Sequence, residues 1–305
     1  MTSEFVHLHN HSDYSLLDGA QKIDQLVNTI DDLNMDAVAL TEHGNMFSVL
    51  PYYKQAKKAG IKPIIGCEIY VAVGSRFEKK TRSDGGWGNN HLILLAQNFT
   101  GYKNLMKLVT AGYLEGFYYR PRIDMDLLRE YSEGLICMSA CLKGVVPEKM
   151  LKGDYEGARK EALLFSEIFQ DRYYLEIQNH GIPEEEQNLK NMKKLSQDLN
   201  LPLVCTNDAH YAKKEHWEAH DIHICLGTGK ERSDPNRLRY ATPEFYFKTQ
   251  DEMHKLFKEF PGAIENTRKI ADSIDITLPI GESHLPNFPI PKEANTSDHD
   301  GRGPK

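Results

Sequence analysis

The chain has 305 residues, 40% of them hydrophobic and 27% charged, and 37 Lys and Arg against 44 Asp and Glu give it a net charge of −7. Such a composition buries a core as one large domain or two smaller ones, which excludes disorder over most of the length. No run approaches the roughly 18 consecutive apolar residues of a membrane span, and the opening MTSEFVHLHNHSDYS lacks the basic and apolar parts of a signal peptide, so a cytoplasmic protein is expected.

FVHLH (5–9) reads as a short strand, and KIDQLVNTIDDLN (22–34) places Ile23, Leu26, Val27, Ile30 and Leu33 at helical spacing. DAVALT (36–41), a helix over 47–59 ending at Gly60, and the apolar run KPIIGCEIYVA (62–72) follow. RSDGGWGNN (82–90) reads as an exposed loop, HLILLAQ (91–97) as a strand and YKNLMKLVTAGYL (102–114) as a helix. LICMSA (135–140), YEGARKEALLFSEIF (155–169), YYLEIQ (173–178), EEEQNLKNMKKLSQDLN (184–200) and PLVCT (202–206) complete seven strand candidates alternating with helices. This pattern predicts right-handed βαβ crossovers and a parallel sheet, open or closed into a barrel, with its reactive end at the strand C-termini. A barrel core is expected over 1–212, helical segments packed on it over 213–277, and a Pro-rich stretch with a polar tail over 278–305.

Histidine is the informative residue: there are 13, and His7, His9 and His11 fall within the first eleven positions. His9 and His11 follow the first strand, Glu42 and His43 the second, Glu68 lies in the third, Cys141 follows the fifth, and Asp208 and His210 follow the last. Alternate residues of an extended segment point the same way, so HNH (9–11) and DAH (208–210) each present two ligands to one point. Imidazole with carboxylate and thiol suits Zn, Mn or Fe better than Ca or Mg. One histidine at a strand end is more often structural, whereas several strand ends carrying such residues together favour a metal centre. Asp18 before Gly19 also reads as a turn residue, Cys141 as a small buried apolar one, and His91 stands at the start of its strand, where the rim pattern does not expect it. The five cysteines form no CxxC pair and read as free thiols.

The acidic balance argues against binding nucleic acid with the whole surface. Local candidates for DNA contact are Arg120 and Arg122 in FYYRPR (117–122), beside Tyr118 and Tyr119, and the stretch KERSDPNRLRY (230–240). Ordinary surface is the plainer reading of both. His216, His220 and His223 share a helix face at i, i+4 and i+7 and could in principle bind a metal.

HLHNHSDYSLLDGA, ALTEHGNM, GCEIYVA, SACLKGVVPE and TNDAHY, with GYKNLMKLVTAGYLEGFYYRPRID, EIQNHGIPEEEQNL, EAHDIHICLGTGK and FYFKTQDEM, resemble the N-terminal PHP (polymerase and histidinol phosphatase) domain of bacterial replicative DNA polymerase III alpha subunits, over about residues 4–290. The resemblance implies an α/β fold, a distorted (β/α)7 barrel with a C-terminal helical extension. It implies two to three divalent metals, zinc or manganese with iron as the alternative, held by His9, His11, Asp18, His43, Glu68, His91, Cys141, Asp208 and His210. Asp208 and His43 are the residues it places around the reacting water, and Glu42, where the related motif usually reads Asp, is expected to orient His43. The His216 set is not used in this way by the family.

By the same resemblance the domain is a metal-dependent phosphodiesterase acting as a 3′–5′ proofreading exonuclease on a primer 3′ end. The alternative is a non-hydrolytic domain supporting the polymerase and its proofreading subunit, and a histidinol-phosphatase-like phosphoesterase is a minor third reading. The implied partners are DNA and the rest of the polymerase III core and holoenzyme, including the proofreading subunit and sliding clamp, with no membrane. Alpha subunits continue past LPNFPIP into polymerase modules that use Mg, so a truncated chain is expected.

Overall fold

In the computed structural model, which describes residues 3–80, 88–283 and 285, the apolar runs become strands of one seven-stranded sheet. β1 (Ala37–Leu40) and β2 (Lys62–Ala72) are buried along almost their whole length, which is why they read as continuous apolar runs without alternation. β3 (Asn89–Ala96), β4 (Arg122–Ile123), β5 (Leu135–Met138), β6 (Tyr173–Ile177) and β7 (Leu203–Cys205) complete the sheet, in the order β1-β2-β3-β5-β6-β7 with β4 beside β2.

The expected strand at 5–9 is instead a bridging segment. His7 pairs with Val38 in β1, and Asn10 pairs with Ala209 just past β7, so the first residues join the two ends of the strand order. Ala39 N donates to His7 O at 2.8 Å, and His11 N donates to Ala209 O at 2.9 Å. The sheet therefore curls into a distorted (β/α) barrel whose seam is made by the segment that carries His9 and His11.

A wholly parallel sheet was expected, and β3 overturns it: it runs antiparallel to both β2 and β5, while β1, β2, β5, β6 and β7 share one direction. The physical reason lies in the connection. β2 and β3 pair through residues that need no helical crossover, as antiparallel neighbours allow. Of the loop expected at 82–90, residues 82–87 lie outside the described residues, and Asn89 and Asn90 already belong to β3.

Helices α1 (Ile23–Asp32), α2 (Val49–Lys58), α3 (Phe99–Leu114), α4 (Met125–Glu130), α5 (Val145–Leu151), α6 (Tyr155–Phe169) and α7 (Pro183–Leu199) lie between the strands. Several begin as the sequence dictates. Asn98 and Asp154 accept from the amides of Gly101 and Gly157 at 3.0 and 2.9 Å, and α7 opens on Pro183 with three glutamates in its first turn. Beyond β7 come α8 (Trp217–Thr228), α9 (Gln250–Phe257) and α10 (Ala263–Ser273). α10 packs on β7, its Thr267 accepts from Val6 N at 3.0 Å, and Met253, Phe257, Ile264 and Ile270 join the same apolar core as the strands. Most of the Pro-rich stretch and tail expected at 278–305 lies outside the described residues. Among the described residues no helix is long and apolar enough to cross a membrane.

α3 sits unusually close to the turn before β5: a Cβ built on Gly101 would lie 1.8 Å from Gly134 O. Gly101→Ala is therefore expected to lower stability by about 1–3 kcal/mol through forced separation of the two backbones. A urea titration should show a lower midpoint with an unchanged slope.

Candidate metal centre

The nine ligand-type residues come from most of the barrel rim. His9 and His11 lie on the closing segment, Asp18 in the turn after it, His43 just past β1, Glu68 within β2, His91 within β3, Cys141 after β5, and Asp208 and His210 after β7. His91 belongs there because β3 is reversed, so that the start of this strand lies at the end where the others finish; it pairs with Tyr70 late in β2.

Eight of these side chains form three groups, the first two sharing His11: His9, His11 and Asp208; His11, His43 and His210; and Glu68, His91 and Cys141. Asp208 Oδ1 lies 3.2 Å from His9 Nε2 and 3.1 Å from His11 Nε2, and Asp18 Oδ1 lies 3.1 Å from His43 Nε2. Glu68 joins the groups, with Oε1 2.5 Å from His91 Nδ1 and Oε2 against His43 Nδ1. The His11 ring is stacked between those of His43 and His210, at 3.9 and 4.4 Å between centroids.

Despite these short approaches, His9 Nε2, His11 Nε2, Asp18 Oδ1 and Asp208 Oδ1 are buried without a hydrogen-bond partner. They point at common positions, not along one another's donor directions. Buried polar atoms left in this state are costly, and several lone pairs converging on one place are what a divalent cation satisfies. Five imidazoles, three carboxylates and a thiol fit zinc, manganese or iron by donor chemistry.

The far side of three of the five rings supports this orientation. His9 Nδ1–H donates to Glu176 Oε1 at 2.7 Å, His11 Nδ1–H to Ser15 Oγ at 3.0 Å and His210 Nδ1–H to Asp208 O at 2.8 Å. Each bond turns the Nε2 of its ring toward the centre. Charge follows the same geometry. Burial opposes a proton on His9, but Asp208 and Glu176 outweigh it and raise its pKa to about 9. Burial, aided by His43 and His210, lowers that of His11 to about 3. Against burial, His91 and His43 hold the Glu68 carboxyl well below its usual range, and His9 and His210 do the same for Asp208. Burial, with Glu68 and Asp208 nearby, pushes the Cys141 thiol well up.

Residues 7–180 match the profile of the PHP domain family. The chain is 51% identical over 297 residues to the DNA polymerase III subunit alpha of Borreliella burgdorferi, covering 96% of this chain and 26% of the relative. It is 46% identical over 296 residues to the subunit of the same name from Treponema pallidum, covering 97% and 25%. It thus spans about a quarter of the length of these curated relatives. Among solved structures, a two-domain protein from Bacteroides vulgatus, described as containing a predicted PHP-like metal-dependent phosphoesterase, aligns with a TM-score of 0.41 at 16% identity, over 88% of this chain and 66% of that one.

Glu42, the His216 set and Arg122, which the sequence singled out, take different parts. The carboxylate of Glu42 accepts from Ser12 N at 3.1 Å, from Ser12 Oγ, and from Ser15 Oγ at 2.5 Å, and Ser15 Oγ in turn accepts from His11 Nδ1–H at 3.0 Å and from His43 N at 3.1 Å. Glu42 therefore acts on both His11 and His43 through Ser15, and burial raises its own pKa despite those bonds. The His216 set does not converge among the described residues; His220 is buried and its Nε2–H donates to Asp18 O at 2.7 Å, bracing the Asp18 turn. Arg122 is not a DNA contact, since it is buried and donates to the carbonyls of Gly116 and Glu78 at 3.1 and 2.9 Å.

Arg120 is exposed, its guanidinium 5.8 Å from the centre of the Tyr70 ring, which in turn meets the edge of His91. In 230–240, Arg237 forms a two-pronged pair with Asp221, at 2.6 and 2.8 Å, and Arg232 joins it. The strap so fixed brings in a group that the sequence did not single out: Tyr240 OH lies 2.8 Å from His210 Nε2 and 3.3 Å from Asp18 Oδ2.

The two arginines should separate cleanly in thermal melts. Arg122→Met strands buried carbonyls at about 1–3 kcal/mol each and should lower the midpoint markedly. Arg120→Ala, on the surface, should leave stability within about 0.5 kcal/mol of the parent.

Proposed function

We propose, since this chain belongs to the PHP domain family, that its rim centre is a divalent-metal site that hydrolyses phosphodiesters, and that its substrate is the 3′ end of a DNA strand. The observation that carries the reading is the convergence of buried polar atoms of His9, His11, Asp18 and Asp208 that have no hydrogen-bond partner. The nine residues would hold two to three ions, zinc or manganese ahead of iron. Bound ions of this kind supply Lewis acidity at a phosphoryl oxygen and a nucleophile at neutral pH.

The chain's own residues set the rest. Asp208 Oδ1, between His9 and His11, and His43, between Asp18 and Glu68, are the groups we assign to holding and moving the proton of the attacking water. Glu176 and Ser15 keep His9 and His11 from rotating away. Exposed Arg120, over the buried Tyr70 ring that meets His91, offers a charge for the phosphates of the strand that enters. The relatives carry the name of a replicative polymerase subunit, and in that setting a 3′–5′ exonuclease here would serve proofreading beside template-directed synthesis. DNA, the remainder of the polymerase III core, a separate proofreading subunit and the sliding clamp are the partners this reading proposes.

The test is the shortening of a 5′-labelled primer with a mispaired 3′ end by the purified chain in zinc or manganese. Metal-dependent shortening is expected, abolished by chelation and lowered about 100-fold or more in Asp208→Asn. Absence of shortening in protein that elemental analysis shows to be loaded would replace hydrolysis with a supporting role for the domain.

A further inference from the structure

Glu176 in β6 is a buried carboxylate outside the nine, and its two oxygens accept four hydrogens. Oε1 takes those of His9 Nδ1 at 2.7 Å, Thr206 Oγ1 at 2.5 Å and Gln178 Nε2 at 3.1 Å, and Oε2 takes that of the Ala140 amide at 3.0 Å. Two of these donors lead to different parts of the centre. His9 belongs with His11 and Asp208, whereas Ala140 immediately precedes Cys141, which belongs with Glu68 and His91. Ala140 is moreover left-handed, with φ 63°. For a residue with a Cβ that conformation costs roughly 1–2 kcal/mol, so an outside bond must hold it.

We propose that Glu176 is a positioning residue that couples two ion-binding groups, turning His9 Nε2 toward the His9, His11 and Asp208 group while pinning the Ala140 turn that delivers Cys141 to the Glu68 and His91 group. This rests on the reading of the centre as a divalent-metal site. The carboxylate makes no bond to His43 or His210, so the group those two share with His11 feels it only through the His9 side. A neutral amide in its place cannot serve all four donors, because its own N–H₂ must face one of them.

Cobalt titration of the whole chain reads this directly, since a thiolate on cobalt gives a charge-transfer absorption that reports Cys141 and no other ligand of the nine. Glu176→Gln is expected to weaken cobalt binding about 10–100-fold and to dim the thiolate band, with circular dichroism showing the fold retained. Adding Ala140→Gly, which takes the left-handed conformation without penalty, should restore the band while at least one cobalt equivalent stays weak. Should Glu176→Gln not fold, Glu176→Asp carries the same expectation, keeping the charge but withdrawing it by one methylene. Native affinity with a full band in the single variants overturns the coupling, as does a band that stays dim in the double variant. A parent chain that takes up no cobalt overturns the metal reading itself, and the coupling with it.

Discussion

Burying five imidazoles, three carboxylates and a thiol at one end of a barrel is the constraint on which the rest of the molecule depends. Each ionised group taken from water costs several kcal/mol unless it is paired and hydrogen-bonded. The fold meets this by alternation. Asp208 stands between His9 and His11, Glu68 between His43 and His91, and Asp18 faces His43. The imidazole N–H groups turned away from the centre end on Glu176, Ser15 and a backbone carbonyl, so polarity is satisfied outward and lone pairs are concentrated inward.

That arrangement explains why the barrel is closed by an irregular segment. A regular strand at 5–11 would pair along its whole length with β1 and the end of β7. Isolated bridges at His7 and Asn10 hold the seam and leave the chain free to turn through Ser12 and Ser15 toward Asp18. Gly19 is needed in that turn, because a Cβ there would stand 1.8 Å from Ser12 O. The reversed β3 serves the same end: only in that direction does His91 reach Glu68 and Cys141.

Much of this was legible in the sequence, and the reason is periodicity. Apolar runs at 36–41, 62–72, 91–97, 135–140, 173–178 and 202–206 overlap observed strands, and the HNH and DAH spacings placed paired ligands at one end. What stayed hidden depends on long-range partners. Strand direction is set by which neighbour β3 finds, and apolar periodicity carries no sign of it. Arg122 looks like a surface cation until Gly116 and Glu78 bring their carbonyls to it. Glu176 reads as the polar residue of an apolar strand, and Tyr240 as one aromatic in a charged stretch. The available clue to Glu176 was a lone charge inside YYLEIQ, a run too apolar to carry one without a partner.

The backbone of the two ligand turns shows what the centre costs the fold. Ala140 and Asp208 are both left-handed, at φ 63° and 44°, and neither is a glycine. Conformations of this kind cost of order 1–3 kcal/mol each and persist only where surrounding bonds over-determine them. At Ala140 the determining bond is the one to Glu176. At Asp208 it is the clamp on its neighbour, since Asn207 Nδ2 donates to Glu244 O and Tyr246 O at 2.9 and 2.7 Å, and His210 N donates to Phe245 O at 2.9 Å. Residues 244–246 lie beyond the barrel core, in the stretch leading to α9. The C-terminal extension is therefore more than packing on the outside: it holds one ligand turn in its strained form, braces Asp18 through His220, and brings Tyr240 to His210. A barrel cut at residue 212 would keep all nine ligand residues in its sequence and lose the bonds that aim three of them.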